Sequence, residues 1–172
     1  MSHVPIERIT PNAVLSTLPP FPIVLVSTRS NILTIGQLEY FTFRPLRLGI
    51  AVAHARYSHG LLREEREFVV NVPDAGLLEA VRVCGSKSGR DTDKFSAAGL
   101  TRLDSQVVQA ASIAECGAHI ECRVEQELAF EERTWFIGPV VAARQREGHE
   151  GTSGLLCGRT EYAAVGEALG KR

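Results

Sequence analysis

No stretch of this sequence approaches the 18 or more apolar residues of a membrane span, and the longest apolar candidate, residues 21–26, is only as long as a strand. The expectation is therefore no membrane insertion. The first eight residues, Met-Ser-His-Val-Pro-Ile-Glu-Arg, lack the basic-then-apolar layout of a secretory signal. The four cysteines (Cys84, Cys116, Cys122 and Cys157) form no Cys-x-x-Cys pair, which argues against a redox dithiol and a zinc ribbon. Reduced thiols in a cytoplasmic protein are the simplest expectation. An excess of one charge is also missing. Lys plus Arg number 19 against 20 for Asp plus Glu, a net charge of -1, so neither nucleic acid nor an acidic membrane surface is an expected partner. No repeat, low-complexity tract or linker divides the 172 residues, and 44% hydrophobic with 23% charged residues suits one globular domain over residues 1–172.

What is present is mostly strand signal. Residues 21–28 are apolar and β-branched, introduced by Pro19-Pro20 and closed by a polar turn. Residues 31–36, 48–53 and 68–72 read as three more strands, with a loop containing Phe43-Arg44-Pro45 between the first two of these. Ile120, Cys122 and Val124 alternate with His119, Glu121, Arg123 and Glu125, the pattern of a strand with one wet face. After the polar turn Glu131-Glu132-Arg133, residues 134–141 return as its antiparallel partner. Three short helices fit between strands. Ser58 is placed to cap one running to Glu65, Asp74 to cap one ending at Gly85, and Asp91 or Thr92 to start one ending near Gly99. The fold class expected is mainly β: an antiparallel split barrel with short helical insertions rather than a βαβ alternation.

Familiar catalytic motifs are absent. No Gly-x-Gly-x-x-Gly follows a strand, and Gly85-Ser86-Lys87-Ser88-Gly89 has Lys87 where a nucleophile elbow needs its nucleophile and the wrong spacing for a Walker loop. Cys116, His119 and Cys122 would share a metal only through a bulge. The plainer reading packs Cys122 inside and turns His119 to water. Residues 82–95 are more informative. They gather Arg82, Lys87, Arg90 and Lys94 against Asp91 and Asp93, with serines and glycines at a junction between helices. Such a loop suits either a phosphate or plain solvation. Arg56-Tyr57-Ser58-His59 follows a strand, where Ser58 is a helix cap or a phosphate contact. Asn31-Ile32-Leu33-Thr34 is a strand entry or the polar edge that meets a heterocycle.

Taken in order, these segments resemble the flavin reductase-like, FMN-binding split-barrel family, and within it the flavoredoxin type. The matching stretches are Pro22 to Thr28, Asn31 to Gly36, Phe43-Arg44-Pro45, Arg56-Tyr57-Ser58-His59 and Glu67 to Val72. The most specific is Cys84 to Phe95 followed by Gly99-Leu100-Thr101, and the match continues through Glu115-Cys116 and Glu121-Cys122 to Gly138-Pro139-Val140. It covers about residues 15–145.

The resemblance implies a homodimeric split barrel holding FMN without a covalent bond. On that analogy Asn31, Ile32, Leu33 and Thr34 line the isoalloxazine. Ala53, Arg56, Tyr57 and Ser58 border the ring and ribityl chain, and Ser88, Gly89, Arg90 and Lys94 serve the phosphate. The flavin would carry hydride or electrons from NAD(P)H or a protein donor to an acceptor, so no catalytic side chain is implied. His54 and His59 are the nearest residues for shaping the substrate side. Many flavin reductases of this family have Gly-Asp-His at the turn where this chain has Glu131-Glu132-Arg133, the histidine facing the nicotinamide. That departure points towards an electron carrier rather than an ordinary flavin reductase. A barrel binding flavin or haem without catalysis is the alternative.

Overall fold

The apolar run at the start of the chain becomes strand β1 (Phe21–Ser27), whose last five residues are all buried. Its run is unbroken because both faces are covered. Val24 and Val26 join one hydrophobic core while Ile23 and Leu25 join another. The computed structural model describes residues 8–151, 154–158 and 161–166. After β1 come β2 (Ile32–Ile35), β3 (Leu38–Phe43), β4 (Leu46–Ala53), helix α1 (Tyr57–Glu65) and β5 (Glu67–Val72). Helices α2 (Leu78–Ser86) and α3 (Lys94–Ala98) follow, then the short pair β6 (Arg102–Leu103) and β7 (Ser112–Ile113). The chain continues with β8 (Ala118–Arg123), β9 (Gln126–Ala129), the long β10 (Arg133–Gln145), β11 (Leu155–Cys157) and β12 (Tyr162–Ala164).

One curled antiparallel sheet runs in the order β12-β11-β1-β5-β8-β10-β4-β3, with β2 paired to β1 and β9 to β10. The mainly β, split-barrel class read from the sequence is what the chain forms. The first core fills the curl and is plugged by Leu62 of α1. The second lies outside β1 and β2, under α2 and α3, and takes in Val81, Cys84 and Phe95. Among the described residues no helix is long and apolar enough to cross a membrane.

Several local expectations are corrected. The wet face of β8 is dry: His119 and Glu121 are both buried. A loop over residues 104–111 covers that face, and the Glu121 carboxylate accepts N–H bonds from Gln106, Val107 and Val108. His119 Nε2 lies 2.7 Å from the Ile113 carbonyl instead of in water. The partner of β8 is indeed β10, but only through its second half; the hairpin across residues 130–132 is made with β9, which the pattern did not suggest. Residues 38–43, read as loop, form edge strand β3. Ser58 does not cap α1, because the N-cap position belongs to Arg56 and the serine sits in the first turn. Asp74 caps a 3₁₀ turn (Ala75–Leu77) that runs into α2, and α3 is capped by Asp93, not Asp91 or Thr92. Helix α2 runs one residue past Gly85, while Gly99 ends α3 at φ 64°, a left-handed conformation that glycine adopts without strain.

Candidate functional site

A cleft of about 380 Å³ opens between β2, the ends of β4 and α2, the first turn of α1 and the loop that follows α2. Its floor is β2, which among the described strands pairs with β1 alone and so presents its other backbone edge to the cleft. Thr34 anchors β2 to α2 by donating from Oγ1 to the Val81 carbonyl at 2.6 Å. Lys94 pins both from below. Its ammonium, with the side chain almost wholly buried, donates to the carbonyls of Ile32 at 2.7 Å and Cys84 at 2.8 Å. That places a cation at the C-terminal end of α2, where the helix dipole welcomes it. Burial lowers the Lys94 pKa, the nearby Cys84 thiol opposes that, and Arg56 adds to it. The Cys84 thiol is itself pushed up to about 11 by burial.

At one end of the cleft Asn31 Nδ2 donates to Ser58 Oγ at 2.6 Å, while Asn31 Oδ1 is buried without a partner. Gly89 lies directly on this amide, and a Cβ there would overlap Asn31. The N–H groups of Ser88 and Gly89 donate to nothing among the described residues, whereas those of Lys87 and Arg90 are taken by the Val83 carbonyl and Ser88 Oγ. Lys87, next to Ser88 in the chain, and Arg56, at the N-cap of α1, also line the cleft. At the other end Arg133 donates to Gln37 Oε1 and stands 3.9 Å from the exposed Glu132 carboxylate. Among the described residues lining the cleft there are four cations, Arg56, Lys87, Lys94 and Arg133, and no carboxylate. The arrangement suits an anionic, extended ligand, with open N–H donors and cations on its walls and a backbone edge along the floor.

The model of the flavin reductase like domain matches residues 15–166. The chain belongs to the flavin reductase-like family. A relative from Archaeoglobus fulgidus, named only as an uncharacterized protein, is 38% identical over 113 residues, 66% of this chain and 64% of the relative, so the match spans just under two thirds of that protein. The solved structure of flavoredoxin from Methanosarcina acetivorans superposes with a TM-score of 0.88 at 25% identity, over 98% of this chain and 95% of the other. An FMN-binding protein from Thermus thermophilus shares the fold, with a TM-score of 0.83 at 21% identity over the whole of both chains.

Against this flavin reductase-like frame, most residues singled out in the sequence meet in one place. Asn31, Leu33, Thr34, Ala53, Arg56, Tyr57, Ser58, Ser88, Gly89 and Lys94 all line the cleft. Ile32 does not; its side chain is in the second core and only its carbonyl turns to Lys94. Arg90 is also outside the lining, its guanidinium 5.8 Å over the Tyr57 ring, where it braces the rim. Lys94 is close but committed, since two of its three N–H bonds go to carbonyls. His54 and His59 are elsewhere. Both imidazoles approach the Thr134 hydroxyl, at 3.1 and 3.0 Å, on the barrel side of β4 and β10, with ring centroids 4.9 Å apart. Burial lowers the His59 pKa, helped by His54 and Arg63 and opposed by Glu127. Cys116, His119 and Cys122 do not converge, and among the described residues no three His, Cys, Asp or Glu side chains are grouped to hold a metal. Gln37, Gly36 and Ala51 were missed. Nothing in their local sequence marks them, because they reach the cleft through the pairing of β4 with β10 and the turn after β2.

Proposed function

We propose that this protein binds FMN in the cleft and works as a flavin-dependent oxidoreductase, passing hydride or electrons from a reduced nicotinamide or a protein donor to an acceptor. The observation that carries the reading is the pairing of a carboxylate-free cationic cleft with a glycine cradle: Gly89 packed on the Asn31 amide beside the open N–H groups of Ser88 and Gly89. Membership of the flavin reductase-like family and the likeness to flavoredoxin support it. The residues present fit the group. A phosphate carrying close to two negative charges calls for N–H donors and cations, which Ser88, Gly89, Arg56 and Lys87 supply. Asn31 Oδ1, buried and unpartnered, is an acceptor for a donor on the ligand. Leu33, Ala51 and Ala53 give the apolar cover a flat ring needs, and the edge of β2 offers backbone donors and acceptors to its polar rim.

Bound there, the flavin supplies the two-electron chemistry, and the protein supplies binding, orientation and electrostatics. Lys94 and Thr34 hold β2 against α2, so the floor keeps its shape as the ligand enters. Arg90 stacked on Tyr57 shields the rim from water.

A carrier reading is favoured by one residue. Arg133 stands where the resemblance places a histidine toward the nicotinamide, so the electron donor would be a protein. The haem alternative finds no histidine among the described residues lining the cleft. We further propose a homodimer, since the aromatic residues of edge strand β3 are exposed, and a cytoplasmic location, in keeping with four unpaired thiols.

The test is a titration of the purified protein with FMN, riboflavin and FAD by flavin fluorescence, then anaerobic addition of NADH and NADPH. Tight FMN binding with weaker riboflavin binding is expected. Bleaching by a nicotinamide identifies a reductase, and flavin that stays oxidised identifies a carrier. A Soret band, or no response to any flavin, would overturn the reading.

A further inference from the structure

Arg133 is the cation of the cleft that the phosphate end does not use. Arg56 and Lys87 stand with the Ser88–Gly89 cradle, and Lys94 is committed to two carbonyls. The Arg133 backbone pairs opposite Ala53 on β4, and its guanidinium reaches away from the cradle to Gln37. Strand β2 marks the distance: Asn31, at its start, touches the cradle, and Gln37, just past its end, accepts from Arg133. Six extended residues span at most roughly 20 Å. A ligand anchored by phosphate at the first end therefore brings its ring system towards the second. The Arg133 charge is also poorly neutralised. Gln37 is uncharged, and the Glu132 carboxylate is 84% exposed and 3.9 Å away, a pair that water screens heavily. Glu131 and Glu132 line a neighbouring outer groove with Phe130, Trp135 and the other side of Arg133, and neither carboxylate lines the cleft.

We propose that Arg133 makes the cleft prefer the reduced form of its flavin. An isoalloxazine that takes up two electrons and one proton gains one negative charge, and a fixed guanidinium at the ring end stabilises that charge without affecting the neutral oxidised ring equally. This rests on the flavin reading above and adds to it a residue that sets the direction in which electrons pass.

The test measures the reduction potential of FMN bound to wild type, Arg133→Gln and Arg133→Lys, beside the dissociation constant for oxidised FMN. Arg133→Gln is expected to lower the preference for reduced over oxidised flavin at least tenfold, which is 29.6 mV for a two-electron couple. Arg133→Lys should restore most of it. Bound riboflavin, which lacks the phosphate, should show the same shift, because the effect belongs to the ring. Arg133 is partly exposed on the first residue of β10, so neither variant threatens the fold. An unchanged potential in Arg133→Gln, or equal losses of affinity for both redox forms, would overturn the proposal and leave Arg133 a mere anchor. A wild-type protein that binds no flavin fails earlier, at the titration, and overturns the functional reading itself.

Discussion

Gly89 and Asn31 form the tightest joint of the site. Asn31 is held by Ser58 and has no room to retreat, so a methyl group at position 89 must displace the amide or the loop. Overpacking of this kind costs about 1–3 kcal/mol. Gly89→Ala is expected to weaken FMN binding roughly tenfold or more, since about 1.4 kcal/mol is a factor of ten, and to lower the melting temperature by about 2–4 °C for each kcal/mol of overpacking. A fluorescence titration checks it, and unaltered affinity would mean that the cradle does not hold the ligand. Lys94 behaves differently. The sequence placed it at the phosphate, but its buried ammonium joins β2 to α2. Lys94→Met leaves two buried carbonyls without donors, and charged hydrogen bonds of this kind are worth about 1.5–3 kcal/mol each. Thermal and urea unfolding should therefore show a loss of about 3–6 kcal/mol. FMN and riboflavin should lose affinity alike. A loss confined to FMN would return Lys94 to the phosphate.

The elements divide by how far their determinants lie apart. Strands β1, β2, β4 and β5 were legible because their apolar runs are bounded by turns, and the end of α3 because Gly99 stops it, whereas its start at Asp93 was read one or two residues early. Strand β3 was hidden by Arg44-Pro45 and by aromatic residues that face outwards rather than alternate into a core. The polar face of β8 misled for a physical reason: Glu121 and His119 are buried under residues 104–111, a segment distant in sequence whose N–H groups need an acceptor. Burial alone would raise the Glu121 carboxyl, but the N–H groups of Gln106, Val107 and Val108 outweigh it and hold the pKa below the ordinary 4.5. A carboxylate lowered in the folded state contributes stability in full above its unfolded value. The contribution is lost as pH falls from there through the lower folded value. The native protein should accordingly lose stability below about pH 4.5, the unfolded value, with residues 106–108 the first to exchange their amide hydrogens. Glu121→Gln should cost about 2–3 kcal/mol at pH 7 and flatten the acid limb of the stability curve. A variant with an unchanged acid limb would show that the loop is held by other contacts, such as the Glu67 carboxylate on Gln109 and Ala110.

The whole molecule leaves apolar surface that a lone chain has no reason to keep. Edge strand β3 exposes Tyr40 to 60% and Phe43 to 73%, with their rings 5.1 Å apart, and Phe41 lies edge-on to the partly covered Trp135. Leu128 and Phe130 beside it are exposed as well, and the 3₁₀ segment Pro11–Ser16 buries none of its residues. An unpaired strand edge rich in aromatics invites association, and a two-fold partner closes it without leaving a second edge. Light scattering should give about twice the chain mass of 18.8 kDa. Phe43→Asp places a charge on that surface, at the end of β3, and should shift the mass towards one chain while the circular dichroism of the sheet is kept. The site is coupled to this face by chain continuity. Gln37, which holds Arg133, immediately precedes Leu38 at the start of β3, and Trp135 follows Arg133 by two residues on the same face of β10. A monomeric Phe43→Asp protein should therefore bind FMN several-fold more weakly than wild type, with the loss at the Arg133 end. Phe43→Asp combined with Arg133→Gln should then weaken binding by less than the product of the single effects. Independent, multiplicative losses would place the dimer face and the cleft on separate footings.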